Sequence, residues 1–355
     1  MALWELEEFQ GPQFLGFVRS IPEPQEYLGQ EILPNENVFD LEVELIKGAR
    51  DQPVMASVIT YDAEAPIGGK PSLGERITLE LPPIKRKERI SEKEIIRFLT
   101  PRAGTGDVQQ AIDTVYDSAT RLVTSVFARV EWLRWQALSE PTLSYNEDDV
   151  IFAFDYGFNP NLQIDVHTDT GYSVGWEDTA SSDPIADLAV LQETYETATG
   201  VPLATIWCSR RVINYILRNV KARELIRGSG SATAQLAVQE LNTLLELYGL
   251  PTFRTYDTVV WRENLDGSKT QLRPLDYHKA VGVPAFSVGE TLWGPTAESR
   301  GLYGTTLSNQ APGVWAGTYA REDPPTEWVK AAGISIPSIR NAEFVAQLTL
   351  LSPGV

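Results

Sequence analysis

Apolar and polar positions alternate with a period of two in two stretches near the start of the chain, separated by a long irregular segment. Arg76-Ile-Thr-Leu-Glu-Leu81 places Ile77, Leu79 and Leu81 on one face of an extended strand. Residues 55–61 are rich in β-branched and aromatic side chains suited to a partner strand. The residues between them, 62–75, are Gly- and Pro-rich and too many for a tight turn. The pattern predicts a hairpin over 55–81 that would reach about 40 Å if fully extended. Two strands alone are marginally stable in water, and these arms carry apolar residues on more than one face. Such a hairpin either folds onto its own domain or lies on a neighbouring subunit.

Ahead of it, Phe39 to Ile46 alternates strictly, predicting a strand with Phe39, Leu41, Val43 and Leu45 inward. Residues 1–50 are punctuated by Pro12, Pro22, Pro24 and Pro34 and loosened by Gly11, Gly16 and Gly29. Yet Trp4, Phe9, Phe14, Phe17 and Tyr27 recur there, and disordered tails are poor in aromatics. An extended arm ordered by packing on something else is the expectation.

After the hairpin, Ser91 and Glu94 form a capping box for a short helix over 91–99. The strongest helical signal follows, with Val115, Ala119, Leu122, Val126, Val130 and Leu133 at spacings of three and four. It predicts a helix over 107–138, about 45 Å long, stopped by Pro141. Strands are expected at 147–158 and 162–166. An α/β-like region then brings a helix capped by Asp183 and closed by Gly200, a buried strand at 202–207, and helices at 209–219 and 234–248. A hairpin turns at Asp266 and Gly267, and strands return at 285–292, 313–320, 334–339 and 343–351.

Composition adds three constraints. With 355 residues, 43% hydrophobic and 22% charged, the chain can bury a sizeable core, and its length predicts two domains. A formal charge of −18 argues against a protein that grips nucleic acid, because phosphate neutralisation needs Lys and Arg. Within that acidic chain the basic run Lys85-Arg-Lys-Glu-Arg89 stands out, read either as a solvated helix start or as a patch that docks an acidic surface of another copy. There is neither a signal peptide nor an apolar run of about 18 residues.

No catalytic constellation can be assembled from the residues. The chain has His167, His278 and Cys208 and no second cysteine, so there is no zinc pattern and no internal disulfide. Cys208 closes a buried strand and reads as a core residue rather than a nucleophile. Residues 165–171 imitate a calcium loop with the wrong acidic spacing, and Gly228-Ser-Gly230 lacks the Lys-Ser/Thr of a phosphate loop. A soluble α/β enzyme using Cys208 or the Asp165 loop is the weakest of the functional readings.

The order of parts resembles the major capsid proteins of tailed phages with the Hong Kong 97-type fold, and more closely the lambda-type capsid protein E family. The resemblance rests on Val54-Met-Ala-Ser-Val-Ile through Pro82-Pro-Ile-Lys-Arg-Lys87, and on Arg129-Val-Glu-Trp-Leu-Arg-Trp-Gln-Ala-Leu138. It rests also on Glu298-Ser-Arg-Gly-Leu302, on Trp315 to Tyr319 with Trp328-Val329, and on the closing strand from Phe344 to Leu351. It implies an α+β fold of an N-arm (1–54), an E-loop (55–83), a peripheral P-domain (84–176, with the spine helix at 107–138, and 286–355) and an axial A-domain (177–285). It implies a subunit that assembles into hexamers and pentamers of an icosahedral head, located in the virion and enclosing double-stranded DNA without sequence-specific binding. The expected partners are copies of itself, a scaffolding protein, a portal and, in some members, a decoration protein, with no membrane, cofactor, metal or catalytic residue. A separate scaffold without cleavage of this subunit is expected, and a covalent cross-link through Lys70 is not. Within the same fold the rival is an encapsulin, a compartment that loads enzymes instead of DNA.

The candidate assembly-interface residues are Trp4, Phe9, Phe14 and Phe17 in the arm, Tyr61, Ile67, Gly68, Gly69 and Leu73 in the loop, and Lys85, Arg86 and Lys87 at its base. The tip glycines, with Gly74, act as joints that let one sequence fit non-identical neighbours. Deleting residues 66–72 is expected to leave a folded subunit by circular dichroism that forms no stable closed shells by negative-stain microscopy. Normal particles from that deletion would show the loop tip to be dispensable.

Overall fold

The computed structural model describes residues 12–46, 76–90, 106–147, 150–228, 236–264, 266–298, 313–321 and 326–354. Five helices and strands frame its first half: α1 (Pro12–Ser20), α2 (Gly29–Ile32), β1 (Asn35–Asn37), β2 (Glu42–Ile46) and β3 (Arg76–Glu80). They are followed by β4 (Pro83–Ile90) and the long helix α3 (Gly106–Ser139). The expected helices at 91–99 and the outgoing arm at 55–61 lie outside the described residues.

The 34 residues of α3 span about 51 Å at 1.5 Å per residue. Its stripe of Val115, Ala119, Leu122, Val123, Val126, Val130 and Leu133 is buried, as the three-four spacing predicts. The stripe lies against a five-stranded sheet built around β15 (Thr326–Ser338), which pairs antiparallel with β4, β13 (Glu290–Gly294) and β14 (Trp315–Arg321); β1 adds to β13 in parallel. Helix and sheet approach closely at Gly333, where a Cβ would sit 3.0 Å from Val126 and 3.1 Å from Trp293.

Two expectations change here. The basic run is neither a helix start nor a loop: residues 83–90 form a strand whose register runs from Pro83 opposite Ile334 to Ile90 opposite Glu327. Within the N-arm, α1 replaces extended chain at 12–20, because Phe14, Phe17 and Val18 fall three and four apart and turn one face onto α3. Phe14 and Phe17 meet the ring of Tyr116 edge-on at 5.3 and 4.6 Å between centroids.

The returning strand also has a partner the alternation did not identify. β3 pairs antiparallel with β2, from Glu42 opposite Glu80 to Ile46 opposite Arg76. The ribbon therefore begins at Glu42, and the connection between its strands is residues 47–75. Leu79 and Leu81 are buried as the period of two requires, whereas Phe39 is 71% and Leu41 47% exposed, opposite to their expected inward placement. They precede β2, outside the paired ladder, so alternation in the sequence carries no burial there.

A second sheet of β7 (Gln163–Asp165), β16 (Ala346–Thr349), β12 (Lys279–Val283), β8 (Thr205–Cys208) and β9 (Thr252–Thr255) carries the other core. Helices α4 (Pro184–Thr199), α5 (Arg210–Arg218), α6 (Val220–Arg227) and α7 (Val238–Leu247) cover it, with Leu188, Leu191, Tyr195, Val212, Ile216 and Leu241 buried. Asp183 and Gly200 cap α4 as expected, the latter at φ 72°. Asn219 ends α5 and caps α6, a helix not among the expected elements. The strand expected at 147–158 is β6 (Val150–Asp155), which pairs with β5 (Thr142–Glu147), a strand not among the expected elements, and β10 (Val260–Glu263) pairs with β11 (Lys269–Leu272) as expected. Because β7 and β16 join β8, β9 and β12, this sheet crosses both expected domain boundaries, at 176/177 and 285/286.

The two cores and the N-terminal segment converge on one buried polar cluster. Glu131 and Arg134, one turn apart on α3, are both 0% exposed. One oxygen of Glu131 accepts from Gly29 N (3.0 Å), Trp135 Nε1 (2.8 Å) and the Tyr256 hydroxyl (2.8 Å). Arg134 donates to Thr291 Oγ1 (2.9 Å), to Asn35 Oδ1 (2.6 Å) and to Glu23. Gly29 is required, since a Cβ there would fall 2.6 Å from the Glu131 carboxylate. Burial, then the charge and hydrogen bond of Glu131, push the Tyr256 phenol up, which keeps it a donor; Tyr27 nearby is pushed up to about 12 by burial and by Glu26, Glu131 and Glu23.

Replacing Glu131 with Ala leaves a buried guanidinium without one of its two carboxylates and three donors without an acceptor. The expected loss is about 3–5 kcal/mol of unfolding free energy by urea denaturation, with an unchanged m value. A loss below about 1 kcal/mol would show that water replaces the carboxylate.

Candidate assembly surfaces

Three surfaces offer themselves for contact with other molecules, and each follows from local sequence. The first is β4. Period-two geometry sends Lys85, Lys87 and Arg89 to one face and Arg86, Glu88 and Ile90 to the other, the face that packs under α3. On the outer face Lys85 reaches Glu298 at 3.0 Å, Lys330 also pairs with Glu298, and the Lys87 ammonium lies 4.6 Å from the ring centroid of Trp328. On the inner face Glu88 pairs with Arg121 at 3.0 Å and Arg86 reaches Glu263 on the β10–β11 hairpin. The predicted residues Lys85, Arg86 and Lys87 thus come together on one strand, each already holding an intramolecular partner while keeping part of its side chain in solvent.

Glu298 is only 4% exposed between its two lysines. Burial alone would raise its carboxyl, but hydrogen bonds from Lys330 and Lys85 outweigh that and hold it below the usual carboxylate range. By contrast, the half-exposed Arg86–Glu263 pair contributes about 0–1 kcal/mol.

The second surface is apolar and exposed: Phe39 and Leu41 at the root of the β2–β3 ribbon. The third is the outer end of α6 and α7, with Leu225 at 47%, Leu247 at 83% and Tyr248 exposed. Sequence reading missed this pair of surfaces, since nothing in the helical period distinguishes an apolar residue that faces solvent. Trp261 on β10 is likewise exposed. Of the arm residues, Phe14 is buried on its own spine and has little area left for a neighbour, while Phe17 is half-buried. Trp4, Phe9, Tyr61, Ile67, Gly68, Gly69, Leu73 and Lys70 lie outside the described residues.

The chemistry weighed for an enzyme is arranged structurally. Burial, then the charge of Asp257, pushes the Cys208 thiol up, which disfavours the thiolate a nucleophile needs. Residues 165–169 form a turn closed by the Asp169 carboxylate on Asp165 N at 2.8 Å. His167 lies between Asp165 and Glu177, 2.9 Å from each, with Ser352 Oγ 3.0 Å from its Nε2. Ser352 donates to Glu177 at 2.6 Å, so this group ties down the C-terminal segment instead of activating a hydroxyl. Among the described residues no group of acidic, His and Cys side chains could hold a metal ion, and no helix is long and apolar enough to cross a membrane.

Because the Glu298 carboxyl is held low in the folded state, its contribution is present above its ordinary value and lost as pH falls through the folded value. Thermal melts of Glu298→Gln and wild type are therefore expected to differ most at neutral pH and to converge below about pH 4; a gap that stays constant to pH 3 would contradict this origin.

Comparison with known proteins places this geometry. The chain is similar in fold to a protein assigned as the capsid protein of an Escherichia coli CFT073 prophage, with a TM-score of 0.64, 16% identity and coverage of 99% of both chains. It is similar also to a phage-related protein of Bordetella bronchiseptica RB50, with a TM-score of 0.54, 11% identity and coverage of 96% and 97%. No curated protein matches it. The spine helix laid across a β-sheet, with the second α/β unit beside it, is the Hong Kong 97-type arrangement. The family described as phage major capsid protein E matches residues 13–350, so the chain belongs to that family and is a phage major capsid protein.

Proposed function

We propose that this subunit assembles as hexamers and pentamers of an icosahedral head that encloses double-stranded DNA. In this reading residues 1–54 are the N-arm, 55–83 the E-loop, 84–176 and 286–355 the P-domain, and 177–285 the A-domain crowding the symmetry axes. The observation that carries it is the β2–β3 ribbon. Its ladder ends with Ile46 opposite Arg76, so two adjacent strands lead away from the anchored Leu79 and Leu81 into a 29-residue connection, 47–75. Two paired strands alone are marginal in water, so a neighbouring subunit is the surface expected to support them.

Assembly then removes apolar surface, including Phe39 and Leu41, from water at about 25 cal/mol per Å². Contacts with several neighbours sum beyond an ordinary pairwise interface. The charge of −18 suits a container whose wall must not adhere to DNA as it enters. Scaffolding and portal proteins are the expected partners, with a decoration protein as a further one.

The test is expression with the scaffold, followed by electron microscopy of the particles and nuclease treatment of infected-cell heads. Closed icosahedral shells with nuclease-protected double-stranded DNA are expected. A subunit that remains monomeric under all assembly conditions would remove the shell reading. Shells filled with protein cargo would transfer it to the encapsulin class.

A further inference from the structure

The chain beyond β16 is held to the second sheet at three points. Leu350 N donates to the His278 carbonyl at 3.0 Å, and Gly354 N donates to the Tyr277 hydroxyl at 2.6 Å. Between them, Ser352 Oγ donates to Glu177 Oε1 at 2.6 Å and lies 3.0 Å from His167 Nε2. Leu350 and Leu351 are buried, whereas Pro353 and Gly354 are exposed. Residues 352–354 are therefore kept in place by polar contacts and not by packing.

The middle contact depends on a proton. His167 Nδ1 lies 2.9 Å from Asp165 Oδ1, and Nε2 lies 2.9 Å from Glu177 Oε1, so a carboxylate stands at each ring nitrogen. Only the imidazolium donates to both. In the neutral ring with its proton on Nδ1, the Nε2 lone pair faces Glu177. The Ser352 hydroxyl, which has one proton, then bonds that lone pair or Glu177, but not both. With the proton on Nε2, the Nδ1 lone pair meets Asp165 instead. Glu177 Oε2 is buried and makes no hydrogen bond, so this carboxylate is answered at Oε1 alone. The backbone is shaped for the contact. A Cβ at Gly175 would fall 2.2 Å from His167 Nε2 and 2.6 Å from either Glu177 oxygen.

We propose that the charge on His167 latches residues 352–354 to the body of the subunit, and that loss of its proton frees them. The titratable groups facing the ring are Asp165 from β7 and Glu177 from the turn after Gly175. Asp169 stands behind Asp165 and accepts its N–H at 2.8 Å. His278, near Asp276, Lys279, Glu140 and Asp165, is lowered by burial and meets the tail through its carbonyl. Burial alone would lower the His167 imidazole too. Hydrogen bonds to Glu177 and Asp165, and the charges of both, outweigh that and hold it above its ordinary value. Burial would likewise raise the Glu177 carboxyl, but hydrogen bonds from Ser352, its own backbone and His167 hold it low. The latch is therefore closed in mildly acidic solution and opens as pH rises through the folded value of His167. With 23% of its side chain in solvent, His167 exchanges that proton without unfolding.

Full-length subunits labelled with carbon-13 at histidine Cε1 give two ring signals, one for each histidine, and His167→Gln assigns them. The His167 signal is expected to titrate with a midpoint above 6.5, and Glu177→Gln to bring that midpoint down. Hydrogen exchange of the peptide from residue 350 onward, read by mass spectrometry and corrected for intrinsic rates, reports the tail. Its protection is expected to be several-fold higher at about pH 5.5 than above the His167 midpoint, with the change following that titration. In His167→Gln it should stay low at both pH values. Wild-type protection that does not change with pH, the same change in His167→Gln, or a His167 midpoint at or below 6.5 would each overturn the proposal. Should His167→Gln fail to fold, Ser352→Ala decides. Low protection of the tail at both pH values, with the His167 midpoint still raised, supports the latch, and wild-type pH dependence of protection overturns it.

Discussion

The carboxylate of Glu131 is the point through which the parts of this subunit are held to one another. It sits on the spine helix, yet its acceptor capacity is consumed by a backbone N–H of the N-terminal segment, an indole of the spine and a phenol from the chain between β9 and β10. Arg134 extends the same cluster to Asn35 and to Thr291 of β13, and Thr291 in turn donates to the Leu33 carbonyl at 2.9 Å. Replacement of a buried ion pair by well-packed apolar residues is often neutral for stability, so affinity alone does not account for such a group. Its directional hydrogen bonds do what apolar packing does poorly, which is to fix the positions of three segments distant in sequence relative to one helix.

That rigidity contrasts with how the surface is disposed. The interior of each sheet is apolar on the side the helices cover, while Phe39, Leu41, Leu247, Tyr248 and Trp261 stay in solvent. Single exposed hydrophobic residues are ordinary in a monomer. In a shell subunit they are where burial on assembly is gained, and the rigid frame keeps them at fixed mutual positions so that contacts with several neighbours form together. The basic strand β4 belongs to both systems. Its inner face is part of the frame, through Ile90 and the Glu88–Arg121 pair, and its outer face holds the lysines around Glu298.

Much of this was legible in the sequence. The three-four spacing from Val115 to Leu133 fixed the spine, because a buried stripe on a long helix leaves its period in the residues regardless of what covers it. Asp183 and Gly200 marked the ends of α4, since caps act on their own helix's unpaired backbone groups. The absence of a catalytic pattern, the acidic charge and the order of elements together pointed to a shell protein. Other readings failed where period and burial part company. Phe39 and Leu41 alternate like β2 but precede its ladder, and residues 83–90 carry too many charges to look like a sheet strand until Val329 and Ala331 of β15 are placed beside them.

The sequence by itself determined the spine helix, the caps of α4 and the buried face of Leu79 and Leu81, all of which depend on neighbours within a few residues, and the order of its parts pointed to the family. Only the tertiary structure decided that β3 pairs with β2, that one sheet draws β7 and β16 in beside β8, β9 and β12, and that Gly29 is small so that Glu131 can reach its N–H. It also decided that β4, α3 and the β10–β11 hairpin line one cleft. Strand pairing and the lining of such a cleft are set by contacts between residues far apart in the chain, where several registers satisfy the same local pattern and the packing of the whole selects one.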